Sequence, residues 1–227
     1  MIPKTFDFEK GELLLFNKPL TWTSFDLVRK VKNITRADKV GHAGTLDPLA
    51  SGLLIICTGR LTKTIDQIQA QEKEYTGSFL LGATTESFDL EREINRRFDT
   101  SDITEQQIHE AVKQFIGEIE QFPPQHSAKK VDGKRAYELA RRGKVANLEA
   151  KKVFVKEFEI TGIAMPLVHF RIVCSKGTYI RSIADDFGKA LNNGAHLVSL
   201  ARTKIGDYKL EDAWEIGAFE EAIKQKS

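Results

Sequence analysis

The stretch GHAGTLDPLASG, Gly41 to Gly52, decides how the rest of the chain is read. Its glycines at 41, 44 and 52 let the backbone approach a ligand closely or take positive φ. Pro48 fixes the chain after Asp47 and disfavours a helical conformation at Asp47 itself. The run that follows, Leu53 to Thr58, is short, apolar and β-branched, which predicts a core strand. Upstream, Thr23 or Ser24 can cap a helix whose apolar positions Phe25, Val28 and Val31 recur at helical spacing. The twelve-letter stretch is therefore a stiff loop between a basic helix and a buried strand, and it displays one carboxylate, Asp47. Catalytic groups concentrate on loops held by a rigid scaffold. An ordinary Asp-Pro turn, with the carboxylate bonded to its own backbone, would carry the same letters.

Outward from this loop, Glu12 to Phe16 and Glu74 to Leu81 read as strands, and Arg60 to Gln71 as a helix. Thr104 with Gln107 makes a capping-box pattern opening a helix with Ile108, Val112, Phe115 and Ile116, ended by Gly117. Phe122 to Gln125 is a proline turn, and Arg135 to Arg142 reads as a short helix. Val153 to Ile163 and Leu167 to Cys174 form a pair of strands. A helix spans about Thr178 to Leu191, and a last one Asp212 to Lys224. No regular βαβ repeat emerges, so the expected class is α+β, with a mainly antiparallel mixed sheet flanked by helices. One catalytic domain over residues 1–227 is expected, with an inserted lobe at about 86–152.

Composition narrows the function. The chain has 227 residues, 41% hydrophobic and 29% charged, ordinary for a soluble domain with a sizeable core. No apolar run approaches the roughly 20 residues of a membrane-spanning helix, and Met1 to Gly11 lacks a signal-peptide core. A cytoplasmic location is expected. Cys57 and Cys174 each sit in an apolar run and read as buried strand thiols. The five histidines show no metal-ligand spacing, so neither a metal nor a cofactor is expected. The net charge of +2 is unevenly spread. Between 29 and 39, Arg29, Lys30, Lys32, Arg36 and Lys39 face Asp38 alone. Between 129 and 144, Lys129, Lys130, Lys134, Arg135, Arg141, Arg142 and Lys144 face Asp132 and Glu138. Such asymmetry suits a phosphate-binding face, although two solvated helix faces would produce it as well.

Three further stretches carry chemistry. In CSKGTYIRS, Cys174 to Ser182, Arg181 falls in the first turn of a helix, where a cation opposes the helix dipole by roughly 0.3 to 1 kcal/mol. A guanidinium accepts that position for a dedicated carboxylate or phosphate, or for an i,i+4 pair with Asp185. In KEYTG, Lys73 to Gly77, Tyr75 can stack on a nucleobase or move a proton, or simply fill a strand position. In FNKPLTWTS, Phe16 to Ser24, Lys18 before Pro19 closes a strand and seats the first helix, with a phosphate contact as a second role.

These stretches resemble the TruB-type bacterial tRNA pseudouridine-55 synthases. LLLFNKPLTWTS is similar to their lysine-proline motif, GHAGTLDPLASGLL to their catalytic-aspartate motif, KEYTGSFLLG to their tyrosine motif and CSKGTYIRSIADDFG to their arginine motif. GAHLVSLART (Gly194 to Thr203) resembles the segment that follows. The resemblance runs from about Gly11 to Leu210. It implies the pseudouridine synthase fold and an isomerase that converts the T-loop uridine of tRNA, position 55, without a cofactor. It further implies that Asp47 is the nucleophile, that Arg181 pairs with it and holds it ionised, and that Tyr75 stacks on the flipped base and serves in removing the C5 proton. His42 would enter the space left in the T-loop, while Tyr179 and Leu200 would line the uridine pocket. The partner implied is the T-arm stem-loop, bound by a monomer. TTESFDLERE (Thr84 to Glu93) departs from the Thr-Asp-rich turn usual there. The chain also ends soon after Lys224, as expected of a short form without the C-terminal RNA-binding (PUA) domain. A non-catalytic RNA-binding or tRNA-folding module on the same scaffold is the alternative.

Overall fold

A computed structural model describes residues 6–124, 130–131, 134–135 and 148–225. The chain forms two compact units, Met1–Tyr75 with Leu200–Ser227, and Thr76–Ser199.

The first unit is built on the apolar run after the glycine loop. Strand β3 (Ser51–Thr58) is buried along nearly its whole length. It pairs antiparallel with β1 (Leu13–Lys18), Leu13 opposite Cys57 and Lys18 opposite Gly52. The short β2 (Val40–His42) is also antiparallel to β3. β12 (Ala195–Ile205) meets it in parallel, Ala201 opposite Ser51 and Arg202 opposite Gly52, and β13 (Tyr208–Lys209) folds back on the end of β12. Alternation sends Leu54 and Ile56 to one face and Leu53, Ile55 and Cys57 to the other. The first set packs with Leu14, Phe16, Phe219 of α5 (Ile216–Lys224) and Leu27, Val28 and Val31 of α1 (Ser24–Thr35). The second packs with Ala43, Ile205 and Ile68 of α2 (Ile65–Ala70). Each such side chain contributes roughly 1.5–3 kcal/mol of burial, which anchors β3 from both faces.

Thr23 caps α1, its hydroxyl accepting from the Asp26 N–H while the Asp26 carboxylate accepts from the Thr23 N–H. The buried face is Ser24, Leu27, Val28 and Val31. Phe25 was expected on that face, yet it is 68% exposed. One position from Ser24 is about 100° around the helix, and the inward place goes to Ser24. The residues Arg60 to Gln71 were expected as one helix. They divide into a 3₁₀ helix, Gly59–Thr64, and α2.

In the second unit the strand order is β4 (Lys73–Leu81), β11 (Leu167–Cys174), β10 (Lys151–Ala164), β7 (Gly117–Gln121). The β10–β11 and β10–β7 pairings are antiparallel. α3 (Glu105–Lys113) begins with the expected Thr104–Gln107 capping box. It stops before Gly117, which starts β7 at φ 99 instead of ending the helix. α4 (Ile180–Ala190) presents Phe187 to Phe79, Phe115 and Phe158, and Phe79 stacks on Phe170 at 4.2 Å. A hairpin of β5 (Ala83–Thr85) and β6 (Ile94–Arg97) has no counterpart in the sequence expectation. Lys130–Val131 (β8) and Lys134–Arg135 (β9) form a two-stranded antiparallel ribbon. The helix expected at Arg135 to Arg142 therefore starts on a strand residue, and its remainder lies outside the described residues. The α+β class with a mixed, mainly antiparallel sheet is as expected.

Candidate active site

The Asp47 loop connects β2 to β3, and its geometry follows from what its backbone is tied to. The Ala50 N–H donates to the Asp47 carbonyl at 3.0 Å. This closes a four-residue turn with Pro48 second, the position where its fixed φ is favoured. The residue before Asp47 is held by Ser24, whose Oγ accepts from the Leu46 N–H at 2.9 Å and donates to the Leu46 carbonyl at 3.1 Å. The residue after it is held by the Thr21 N–H, which donates to the Pro48 carbonyl at 2.8 Å. Ser24 can do this because Thr23 takes the capping role. Asp47 is half-buried, with both neighbours tied to the start of α1.

Arg202 holds the loop from the other side. It is 1% exposed. Its Nε donates to the Leu53 carbonyl at 2.8 Å, and its two terminal nitrogens to Gly44 (3.1 Å) and Thr45 (3.4 Å). Leu200, two residues earlier on β12, lies on the same face of the strand and is half-buried. Arg202 was absent from the sequence expectations. Its letters gave no distinctive signal, since the same strand also carries His196 and Lys204.

Lys18 is fully buried at the end of β1. Its Nζ donates to the carbonyls of Pro19 (2.8 Å) and Trp22 (2.7 Å), which fixes the turn into α1. That is the turn-seating role expected of it. The buried ammonium presents no exposed face to phosphate. Burial brings its pKa down to about 8, with Arg202 acting the same way and Asp47 and Asp26 opposing. Asp47 and Arg202 therefore both lie within electrostatic reach of Lys18. His42 ends β2, and its pKa is lowered, first by burial and then by Arg202, against the Gly44 backbone. Its Nδ1 is buried without a hydrogen-bond partner among the described residues. The imidazole is thus neutral near pH 7. Tyr75 is buried on β4.

In the second unit, Arg181 occupies the first turn of α4 as expected and is 4% exposed. Its Nε lies 3.6 Å from Asp89 Oδ2, and a terminal nitrogen donates to the Ser87 carbonyl at 3.4 Å. Asp185, the i,i+4 alternative, takes Lys189 instead. Asp89 comes from TTESFDLERE, the stretch whose letters depart from the family pattern. The turn is pinned by Thr85 Oγ donating to the Asp89 carbonyl (2.7 Å) and by the Arg92 N–H donating to Ser87 Oγ (3.1 Å). Tyr179 precedes the helix, and its N–H and carbonyl are both satisfied by the Gln121 amide, at 2.7 and 3.0 Å. The Lys151 ammonium sits 5.5 Å from the centre of its ring.

Of the basic residues expected on RNA phosphates, Lys130, Lys134 and Arg135 lie on the β8–β9 ribbon. Lys129, Arg141 and Arg142 lie outside the described residues. Among the described residues no cluster of His, Cys, Asp or Glu is arranged as metal ligands, and no helix is long and apolar enough to cross a membrane.

Residues 32–180 match the family model described as "TruB family pseudouridylate synthase (N terminal domain)". A Flavobacterium johnsoniae protein named tRNA pseudouridine synthase B is 55% identical over 225 residues, covering 96% of this chain and 98% of that one. The Phocaeicola vulgatus protein of the same name is 52% identical over 226 residues, 97% and 96% of the two chains. Among solved structures, an archaeal box H/ACA sRNP Nop10–Cbf5 complex aligns with TM-score 0.69 at 27% identity, over 94% of this chain and 54% of that chain. An H/ACA RNP bound to a substrate RNA containing 2'-deoxyuridine aligns with TM-score 0.71 at 26% identity, over 94% and 53%. This chain spans about half the length of those two. With the Asp47 loop, the buried Arg181 and a match over nearly the full length of its curated relatives, the chain belongs to the TruB family of pseudouridylate synthases.

Proposed function

We infer that the chain is a tRNA pseudouridine synthase that isomerises the T-loop uridine at position 55. The observation that carries this is the near-complete match to relatives named tRNA pseudouridine synthase B, together with a carboxylate on a loop pinned at both neighbours. The reaction breaks the N1–C1′ bond, turns the base and rejoins it through C5. No electrons are gained or lost and no group is transferred from outside, so the chemistry requires no cofactor.

In this reading Asp47 is the nucleophile toward the detached sugar, and Arg181 keeps the catalytic carboxylate ionised while substrate excludes water. Tyr75 stacks on the extruded base and assists loss of the C5 proton. Tyr179 and Leu200 line the uridine pocket. Flipping costs a few kcal/mol, and stacking on an aromatic ring returns roughly 1–3. His42 would fill the vacated place in the loop. A neutral imidazole suits insertion among bases, since it carries no charge to desolvate. Lys129, Lys130, Lys134, Arg135, Arg141 and Arg142 would track the T-arm phosphates. The protein is read as a cytoplasmic, single-domain monomer.

The test is tritium release from tRNA labelled at uridine C5, with the modified position mapped in the product. Release confined to position 55 is the expected result. Binding without release would favour the RNA-folding module instead.

A further inference from the structure

We propose that Arg202 is a positioning residue for the reaction, a three-carbonyl clamp that fixes the Asp47 loop from inside the protein. This rests on Asp47 being the catalytic carboxylate. Arg202 contacts the loop on both sides of Asp47: Gly44 and Thr45 before it, Leu53 after it. Its backbone grips the same loop, because Arg202 stands opposite Gly52 in the parallel β12–β3 pairing. The two backbones are so close there that a Cβ on Gly52 would sit 2.4 Å from the Arg202 carbonyl oxygen. Gly52 also has φ 102, which a side chain would strain further.

The arrangement is unusual for a buried cation. A fully buried guanidinium normally faces a carboxylate. Among the described residues Arg202 makes no ion pair, and its charge is met by backbone carbonyls. It also lies within electrostatic reach of two other groups beside the loop, Lys18 and His42. A cation in such company serves poorly as a stability device, because desolvation and the nearby ammonium both oppose it. The planar fork explains its presence: Nε and the two terminal nitrogens point in fixed directions and reach three carbonyls at once. An ammonium of shorter reach cannot span Leu53 and Gly44 together. Ser24 and Thr21 hold Leu46 and Pro48 from the α1 side, so Arg202 completes a loop fastened from two sides. A displacement of about 1 Å at a reacting group can slow a reaction roughly 100-fold.

The test compares full-length Arg202→Lys and Arg202→Gln with the native chain on a T-arm stem-loop RNA tritiated at uridine C5. Thermal melting, the RNA dissociation constant and the single-turnover rate at saturating enzyme are measured. Both variants are expected to melt cooperatively and to bind RNA within about 3-fold of the native value, while the rate falls about 10- to 100-fold, Gln below Lys. Rates within about 2-fold of native in both folded variants would overturn the proposal. So would a loss confined to RNA affinity with a native rate at saturation. If neither variant folds, solvent exchange of the Arg202 Nε–H in the native protein decides. Exchange slowed at least about 100-fold against free arginine supports the clamp, and exchange at the free rate removes it. Asp47→Asn assayed alongside separates the two levels. Turnover by that variant would sink the catalytic assignment itself, whereas inactive Asp47→Asn beside fully active Arg202 variants sinks only the clamp.

Discussion

Asp47 and Arg181, the two charged side chains singled out for catalysis, are held in different ways. Asp47 is fixed through its neighbours: Leu46 by Ser24, Pro48 by Thr21, and the loop ends by Arg202. Its own carboxylate stays half-buried. Arg181 is fixed through its functional head, which is buried against Asp89 and Ser87. The contrast matches what each is asked to do. For Asp47 the proposed role is bonding to substrate, and its position is set through the backbone of its two neighbours. A group that supplies charge can be gripped directly, because gripping does not remove the charge.

The largest effect should come from breaking the head-on grip. Asp89→Ala removes the carboxylate facing a buried guanidinium and should lower stability by about 3 kcal/mol, read from the urea midpoint. Arg181→Lys, which cannot fork onto its partners, should in addition slow turnover about 100-fold. An unchanged midpoint for Asp89→Ala would mean that the 3.6 Å pair does not hold Arg181.

Ser24→Ala attacks the other kind of support. It deletes both bonds to Leu46 while leaving the Thr23 cap intact. A loss of about 1–2 kcal/mol is expected, with a roughly tenfold slower single-turnover rate and little change in RNA affinity. If stability falls and the rate does not, the neighbours of Asp47 do not set its position.

Lys18 sharpens the comparison through pH. Its folded pKa, about 8, lies below the ordinary 10.5. Between those values the folded state binds fewer protons than the unfolded one, so this group makes stability rise with pH across that window. Activity should move the opposite way. Above about pH 8 the cation within reach of Asp47 is lost, and the rate should decline. Lys18→Met should abolish the stability gain and flatten the alkaline limb; a native-like pH profile in that variant would clear Lys18 of any influence on Asp47.

The smallest effect concerns salt. Replacing Lys129, Lys130, Lys134 and Arg135 by alanine should reduce the slope of log affinity against log salt by about 0.7–0.9 per lost phosphate contact. An unchanged slope would place the RNA on another face.

The parts of this molecule legible in its letters are those fixed by short-range rules. The Thr104–Gln107 capping box, a cap at Thr23 or Ser24, the continuous apolar run of β3, the β10–β11 pair and the stiff Asp47 loop each follow from neighbours within a few residues. What stayed hidden depends on partners far along the chain. Phe25 fits a helical spacing, but the inward position at that turn belongs to Ser24, which reaches Leu46. Gly117 looks like a helix stop and instead opens an edge strand against β10. Ser24, Asp89 and Arg202 read as a helix start, a loop acid and a strand cation, and their roles exist only once residues 22, 92 and about 150 positions away are brought beside them. The resemblance supplied the identity of Asp47 and Arg181, but not the residues that hold them.

The most direct measurement is multiple-turnover tritium release by Asp47→Asn on the T-arm stem-loop, with RNA affinity measured in parallel. The side chains are nearly isosteric, so the loop and its supports should persist. The expected result is release below about one-thousandth of the native rate with affinity within about 3-fold of native. Sustained release above about one-tenth of the native rate would contradict the assignment of the reaction to this carboxylate.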